Sequence, residues 1–461
     1  MGYLYPVMCD EMVPGDMFDI SAEAVVRFAP MVAPILHEIN LKADWFFVPY
    51  RILSARDLYG TDGNTYWEKF ITGGVAGATP VTRVALGTLN LTTPVPEGGL
   101  WDHLGIPTGV TLAVANGIDS PLLFPGSAYK TIYNNYYRDP NLEAETDPYD
   151  CPADMLCKTS NWDADYFTRS LPWQQRGTAP ALPVSGFVPM VSAGDLTAPL
   201  AANSTATAVQ IKRVNGSVIN ANDVFYASLG SATTFNVSDL RLAVQVQRWL
   251  ERSARSGYRY TEYLKSHFGV SPRDDRLDRP EYIGGLRQQI VVSEVLQTSK
   301  TEVGAPQGNL AGHGILAGNH HIGRYHAKEF GLLMCIMSVQ PKPAYQQGID
   351  RQWLRGSRYD FYHPEFANLS EQAVLKEEIY LDPAQANNIG IFGYQGRYDE
   401  MRTKKDMVAG AFRSTLNYWH LGRIFTGLPA LSSTFGHVDP TTVTRVFAVP
   451  SADHLYVHWG N

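Results

Sequence analysis

Residues Ser238–Gly285, SDLRLAVQVQRWLERSARSGYRYTEYLKSHFGVSPRDDRLDRPEYIGG, form the densest run of charge and local signals in a chain otherwise made of short apolar segments and turns. Ser238 or Asp239 is placed to cap a helix, because a short side-chain oxygen accepts a hydrogen bond from a free N–H of the first turn. Leu242, Val246 and Trp249, with Ala243, Val246 and Leu250 beside them, recur at helical spacing and make one wide apolar face. Arg241, Arg248, Arg252 and Arg255 fall on the other face, and Gly257 ends the helix. A second, short helix fits Thr261–Phe268, with Gly269 where a left-handed cap belongs. Pro272 and Pro280 then hold the chain in turns. The arginine face reads either as solvated charge or as a surface that meets another subunit.

Outward from this stretch the pattern turns to strands. Asp16–Phe28 alternates apolar and polar residues, and Leu41–Val48 is nearly all apolar until Pro49 stops it. Gln288–Ser299, His320–Lys328 and Phe330–Gln340 read as strands, as do Val443–Val449 and His454–Trp459 and, more weakly patterned, Val81–Leu91 and Val110–Ala115. Gly304–Gly323 reads as a glycine-rich loop. The segment YKTIYNNYYRD and the region around Leu369–Glu378 read as helical. Short strands at both ends and in the middle are thus interrupted by two large insertions, 117–286 and 342–442. The expected fold is mainly β, an eight-stranded antiparallel jelly roll over residues 1–461 as one domain, with long inserted loops containing short helices. Within the first insertion, 178–235 is rich in Ala, Ser, Thr, Val and Asn and poor in charge, which suits a small β subdomain or a loop.

Composition excludes several classes. Forty Gly, 29 Pro and 11% aromatics favour many strands and turns over helical bundles. A net charge of −7 is not that of a protein coated over its whole surface by nucleic acid. Cys9, Cys151, Cys157 and Cys335 contain no CxxC pair, so buried thiols are expected rather than zinc or disulfides. The N-terminus lacks the pattern of a signal peptide, and no apolar run is long enough to span a membrane. There is no P-loop, no HExxH and no GxSxG, and Gly312-His313-Gly314 misses the dinucleotide spacing. His313, His320, His321 and His326 cluster in sequence; in a regular strand His320 and His326 share one face and His321 takes the other. No metal or other cofactor is expected. Arg397, Arg402, Lys404 and Lys405, with Arg413 after them and Tyr394 and Tyr398 interleaved, could meet phosphates and bases; a salt-bridge surface or a solvated loop is the competing reading.

The segment ERSARSGYRYTEYLKSHFGVSPRDDRLDRPEYIGG resembles the most recognisable part of the major capsid proteins of gokushovirus-like microviruses, small tailless phages with circular single-stranded DNA. Further matches run in the same order: LYPVMCDEMVPGDMFDI, DWFFVPYRIL, AYKTIYNNYYRDPNL at Ala128–Leu142, DYFTRSLPWQQRG, APQGNLAG, AYQQGIDRQW, RYDFYHPEFANLSEQAVLKEEIY and FGYQGRYDEMR. The resemblance implies a non-enzymatic structural protein of the virion, sixty copies of which close an icosahedral T=1 shell around the genome. It also implies a small basic DNA-packaging protein and a pilot protein as partners, a receptor on the host surface, and assembly in the host bacterial cytoplasm. It places an outward protrusion near 178–235. The alternative weighed beside it is a jelly-roll protein that binds or cleaves carbohydrate.

Overall fold

The computed structural model describes residues 1–54, 65–73, 87–89, 92–109, 111, 121–180, 190–192, 200–205, 208–213, 225–227, 237–296, 298, 308–367, 369–448 and 457, with backbone alone at 190–227 and at 385. The expected strands at Val110–Ala115 and His454–Trp459, and most of Val81–Leu91, lie outside those residues. The chain divides into two compact units, Met1–Gln174 with Gly257–Asn461, and Gln175–Ser256. The smaller unit lies inside the expected first insertion.

The larger unit is mainly β, with antiparallel sheets and short helices. Its principal sheet has the order β1–β11–β3–β8, from Tyr5–Met12, Gly331–Pro341, Ile39–Pro49 and Glu281–Gln289. A three-stranded sheet has the order β2–β10–β9, from Met17–Arg27, Leu310–His326 and Val291–Leu296. All pairs within both sheets are antiparallel. Alternate side chains explain how these sheets meet. Ala43, Trp45 and Phe47 of β3, with Leu333 and Cys335 of β11, share one buried core with Ile20 of β2 and Leu316 of β10. Their neighbours Phe46, Val48, Leu332, Met334 and Ile336 enter a second core on the opposite face. The principal sheet is therefore covered on both faces, which is why WFFVP and LLMCIM are unbroken apolar runs. Each fully buried Phe or Leu here contributes roughly 1.5–3 kcal/mol of transfer free energy. The outer face of β2 instead faces solvent, and its residues alternate as expected.

The second core is closed by helices. These are α1 (Tyr66–Thr72), α2 (Leu100–His103) and α3 (Phe124–Ile132), the last followed by a wider turn through Tyr133–Tyr137. A Cβ on Gly126 would stand 2.7 Å from the Trp101 ring, so glycine sets how closely α3 packs. Tyr129, fully buried, donates to the Leu4 carbonyl at 2.9 Å and accepts from Lys158 N–H at 2.8 Å. In the smaller unit, β4 (Met190–Ser192) pairs with β7 (Phe225–Ala227), and β5 (Leu200–Thr205) pairs with β6 (Ala208–Arg213). Helix α4 (Val237–Ser256) ends that unit, and α5 (Tyr260–Phe268) follows in the larger one, closed by Gly269 in the left-handed region at φ 71°. Arg259, just before α5, donates to the carbonyls of Asn134 and Arg138 and so ties α5 to the wider turn that follows α3.

Four expectations are corrected. Residues 310–323 form most of β10 rather than a loop. Their glycines are needed inside the strand: a Cβ at Gly312, Gly314 or Gly318 would come within 2.5 Å of the Ala33 carbonyl, 2.4 Å of the Phe28 ring or 2.1 Å of Gln288. A bulge in β10 between His321 and Gly323 reverses the alternation, so His321 and His326 share the outer face and His320 takes the inner one. The region expected to be helical around Leu369–Glu378 holds β12 (Gln372–Leu375), paired with β13 (Ile391–Gln395), then a single 3-10 turn. Val443–Val449 is not a strand in its described part. After α6 (Ser433–Gly436) the chain enters α7 (Pro440–Val443), whose Asp439 side chain accepts from Thr441 N–H, and then a 3-10 turn.

Candidate functional site

A third core organises the segment after β11. Tyr166, Phe167, Tyr345, Val374, Ile379, Phe392 and Phe435 pack together there, which brings the 342–442 insertion against residues 166–167. Beside it lies a buried charge network. The Glu378 side chain is 0% exposed; it accepts from Arg351 at 2.8 Å and from Leu375 N–H at 2.8 Å, and its other oxygen is 3.8 Å from the Lys405 ammonium. Burial lowers the Lys405 amine below its ordinary range, and Glu378 opposes that shift. Lys405 also stands 4.6 Å over the Phe167 ring. Arg355 and Glu400 add a second pair at 3.8 Å. With so many intrachain partners, these groups hold the insertion in shape.

The basic residues singled out from sequence are thus separated by environment. Lys405 belongs to the buried network. Arg397 is half-buried, donates to the Tyr359 carbonyl at 3.1 Å and stands 5.1 Å over Tyr398. Arg402 is exposed and pairs with Asp399 at 2.9 Å. Lys404 is exposed, and exposed Arg413 donates through Nε to the Val408 carbonyl at 2.6 Å. On α4, Arg241, Arg248, Arg252 and Arg255 are all exposed, as the arginine face requires. The apolar face is only half covered. Ala243, Val246 and Leu250 are partly buried and Ala254 fully, whereas Leu242 and Trp249 remain 64% and 47% exposed. Asp274 pairs with Arg279, Asp275 with Arg273, and Asp278 with Arg51.

Sequence reasoning singled out none of the exposed apolar residues of the second insertion. Trp353, Ile389 and Met407 are 75%, 87% and 87% exposed, and Leu369, Leu381, Ile391 and Met401 are exposed with them. Their signal was dispersed, since no periodicity marks an apolar residue left at the surface. Among the described residues no group of His, Cys, Asp and Glu converges as metal ligands, and the four cysteines are free thiols. No described helix is long and apolar enough to cross a membrane.

Two packed antiparallel sheets with long insertions that leave Trp353, Ile389 and Met407 exposed define a class: a β protein with apolar surface open to association with other chains. The particular family follows from comparison, for residues 1–459 match the capsid protein (F protein) family and the chain belongs to it. It is 32% identical to capsid protein VP1 of Chlamydia phage 1, over 98% of this chain and 88% of that one. It is 33% identical to capsid protein VP1 of Bdellovibrio phage phiMH2K, over 98% and 87%, and 30% identical to that of Spiroplasma virus 4, over 98% and 88%. The microvirus resemblance read from the sequence is borne out, and the protein is a structural capsid component of the virion rather than an enzyme.

Proposed function

We propose that this chain is the major subunit of a T=1 icosahedral shell of sixty copies enclosing circular single-stranded DNA, and that its two packed sheets are the core of a jelly roll. The observation that carries this reading is the family match over nearly the whole chain, joined to the exposed apolar residues Trp353, Ile389 and Met407 on the second insertion. A closed shell from one chain needs several different heterologous contacts, and long loops supply them. Leu381, Ile389, Ile391 and Met407 of the 342–442 insertion, and α4 with Arg241, Arg248, Arg252 and Arg255 flanking Leu242 and Trp249, serve as surfaces between copies. Residues 178–235 serve as an outer protrusion that meets the host receptor. Negative-stain microscopy of the purified protein tests the assembly: uniform small shells are expected, and dispersed monomers would refute it. Replacing 178–235 by a short linker should leave shells intact and abolish host attachment.

The genome contact follows from electrostatics. A subunit of charge −7 confines a polyanion, so repulsion is relieved locally or by a small basic packaging protein. Of the five basic candidates, exposed Arg402, Lys404 and Arg413 contact phosphate, while Arg397 and Lys405 hold the segment that presents them. A pilot protein completes the particle, which assembles in the host cytoplasm. Neutralising Arg402, Lys404 and Arg413 should lower DNA retention and leave empty shells unaffected.

A further inference from the structure

One surface of the second insertion is explained neither by the third core nor by its ion pairs. Trp353, Tyr359, Phe361 and Tyr362 are 75%, 51%, 54% and 52% exposed. Tyr359, Phe361 and Tyr362 lie within four consecutive residues, each about half exposed on the same loop. Guanidinium groups lie against these rings and their neighbours. Arg358 stands 4.8 Å over Tyr359, Arg355 is 5.4 Å over Phe361, and Arg397 is 5.5 Å over Phe366. Arg355 has Glu400 nearby, but among the described residues neither Arg358 nor Arg397 has a carboxylate within ion-pair distance.

The ledge is preset. Ser357 Oγ accepts from Tyr359 N–H at 3.3 Å, and the Asp360 carboxylate accepts from Gly356 N–H and Ser357 N–H at 3.1 and 2.7 Å. That acidic group is thereby engaged by its own loop. The ledge is also joined to the basic segment, since the Tyr398 hydroxyl donates to the Phe361 carbonyl at 3.0 Å and Arg397 donates to the Tyr359 carbonyl. Flat exposed rings next to cations are what sequence-tolerant binding of an unpaired strand requires: bases stack on the rings and phosphates meet the cations. A second copy of the chain docked here would have to supply carboxylates for two desolvated guanidinium groups.

We infer that Tyr359, Phe361 and Tyr362 form a stacking platform for unpaired bases of a single-stranded nucleic acid, with Arg358 facing its phosphates. This rests on the reading that the shell encloses single-stranded DNA, and names the contact that holds the bases.

The test uses purified full-length chain before assembly and a fluorescein-labelled oligothymidylate of twenty nucleotides, with anisotropy followed across salt. Tyr359→Ala and Tyr362→Leu should each weaken binding at least about fivefold at unchanged salt slope, since stacking is not ionic. Arg358→Gln should flatten the slope by about 0.7. Tyr359→Phe keeps the ring and should restore binding. Circular dichroism confirms that each variant is folded, and Tyr362→Leu preserves apolar surface if the alanine variant fails. Folded ring variants that bind as wild type overturn the inference. So do variants that bind normally yet no longer form shells, which would make the ledge a contact between copies. Failure of the wild-type chain to form shells would instead refute the reading of a self-assembling sixty-copy shell, whatever the ring variants do.

Discussion

Glu378→Ala removes the centre of the buried charge network, and its effect follows from the geometry. The carboxylate is 0% exposed, bonds Arg351 at 2.8 Å and Leu375 N–H at 2.8 Å, and lies 3.8 Å from Lys405. Arg351 and Lys405 side chains are 18% and 19% exposed, so both cations would lose their main counter-charge with little water to replace it. Breaking a buried pair from one side costs about 3–5 kcal/mol, largely because the partner charge remains. The loss should be local, because β12 and β13 depend on this network while the two sheets do not touch it. Deuterium exchange read by mass spectrometry should show residues 372–378 and 391–395 opening at least about a hundredfold more readily, with β3 and β11 unchanged. Glu378→Gln keeps an acceptor for Leu375 N–H and should lose less. Unchanged exchange in Glu378→Ala would refute the argument, as would equal loosening of β3.

Other perturbations test separate links. Burial holds the imidazoles of His37 and His437 below their ordinary value, so the unfolded chain binds more protons as pH falls through the range below about 6.5. Stability should be full above that range and be lost as pH falls through the folded values; melting curves from pH 7.5 to 5 should flatten in His37→Gln. Gly348→Ala should prevent correct closure of the third core, since the new Cβ would lie 2.1 Å from the Glu378 carbonyl oxygen, and soluble yield reads this. Leu242→Glu should leave subunit melting unchanged, because that side chain is 64% exposed, yet reduce shell yield by sedimentation.

The elements most legible in the sequence were those whose burial is one-sided or complete within the chain. β2 alternates, β3 and β11 are continuous apolar runs, and α4 and α5 carry helical spacing and a glycine cap. β1 was missed because Pro6 interrupts its pattern; the strand tolerates it at a sheet edge, beside a register shift between Pro6 and Met8. β10 was hidden by glycines that serve close packing rather than turning. In β12, helix-favouring residues were overruled by pairing with β13, a tertiary choice that local propensity does not carry. At α7 the helix-opening pair Asp439-Pro440 was passed over, and Val443 and Val446 were read as the start of a strand. Of the basic cluster, sequence spacing placed the charges together but not the burial that sets Lys405 apart from Lys404. The exposed rings near Tyr359 have no sequence period at all.

The register of the two sheets carries a consequence for timing. β1 pairs Tyr5 with Met337, and β2 pairs Met17 with His326, so neither N-terminal strand has its partner until almost three-quarters of the chain has been translated. At about 5–20 residues per second, that wait is on the order of 20 to 60 s. During it the nascent chain holds both early strands unpaired, and the surfaces on which copies would meet lack the scaffold that positions them. A ribosome-bound fragment ending before residue 310 should therefore stay protease-sensitive and be unable to poison a growing particle. Only chains near completion become competent, which makes translation itself the proofreading step for what enters the shell.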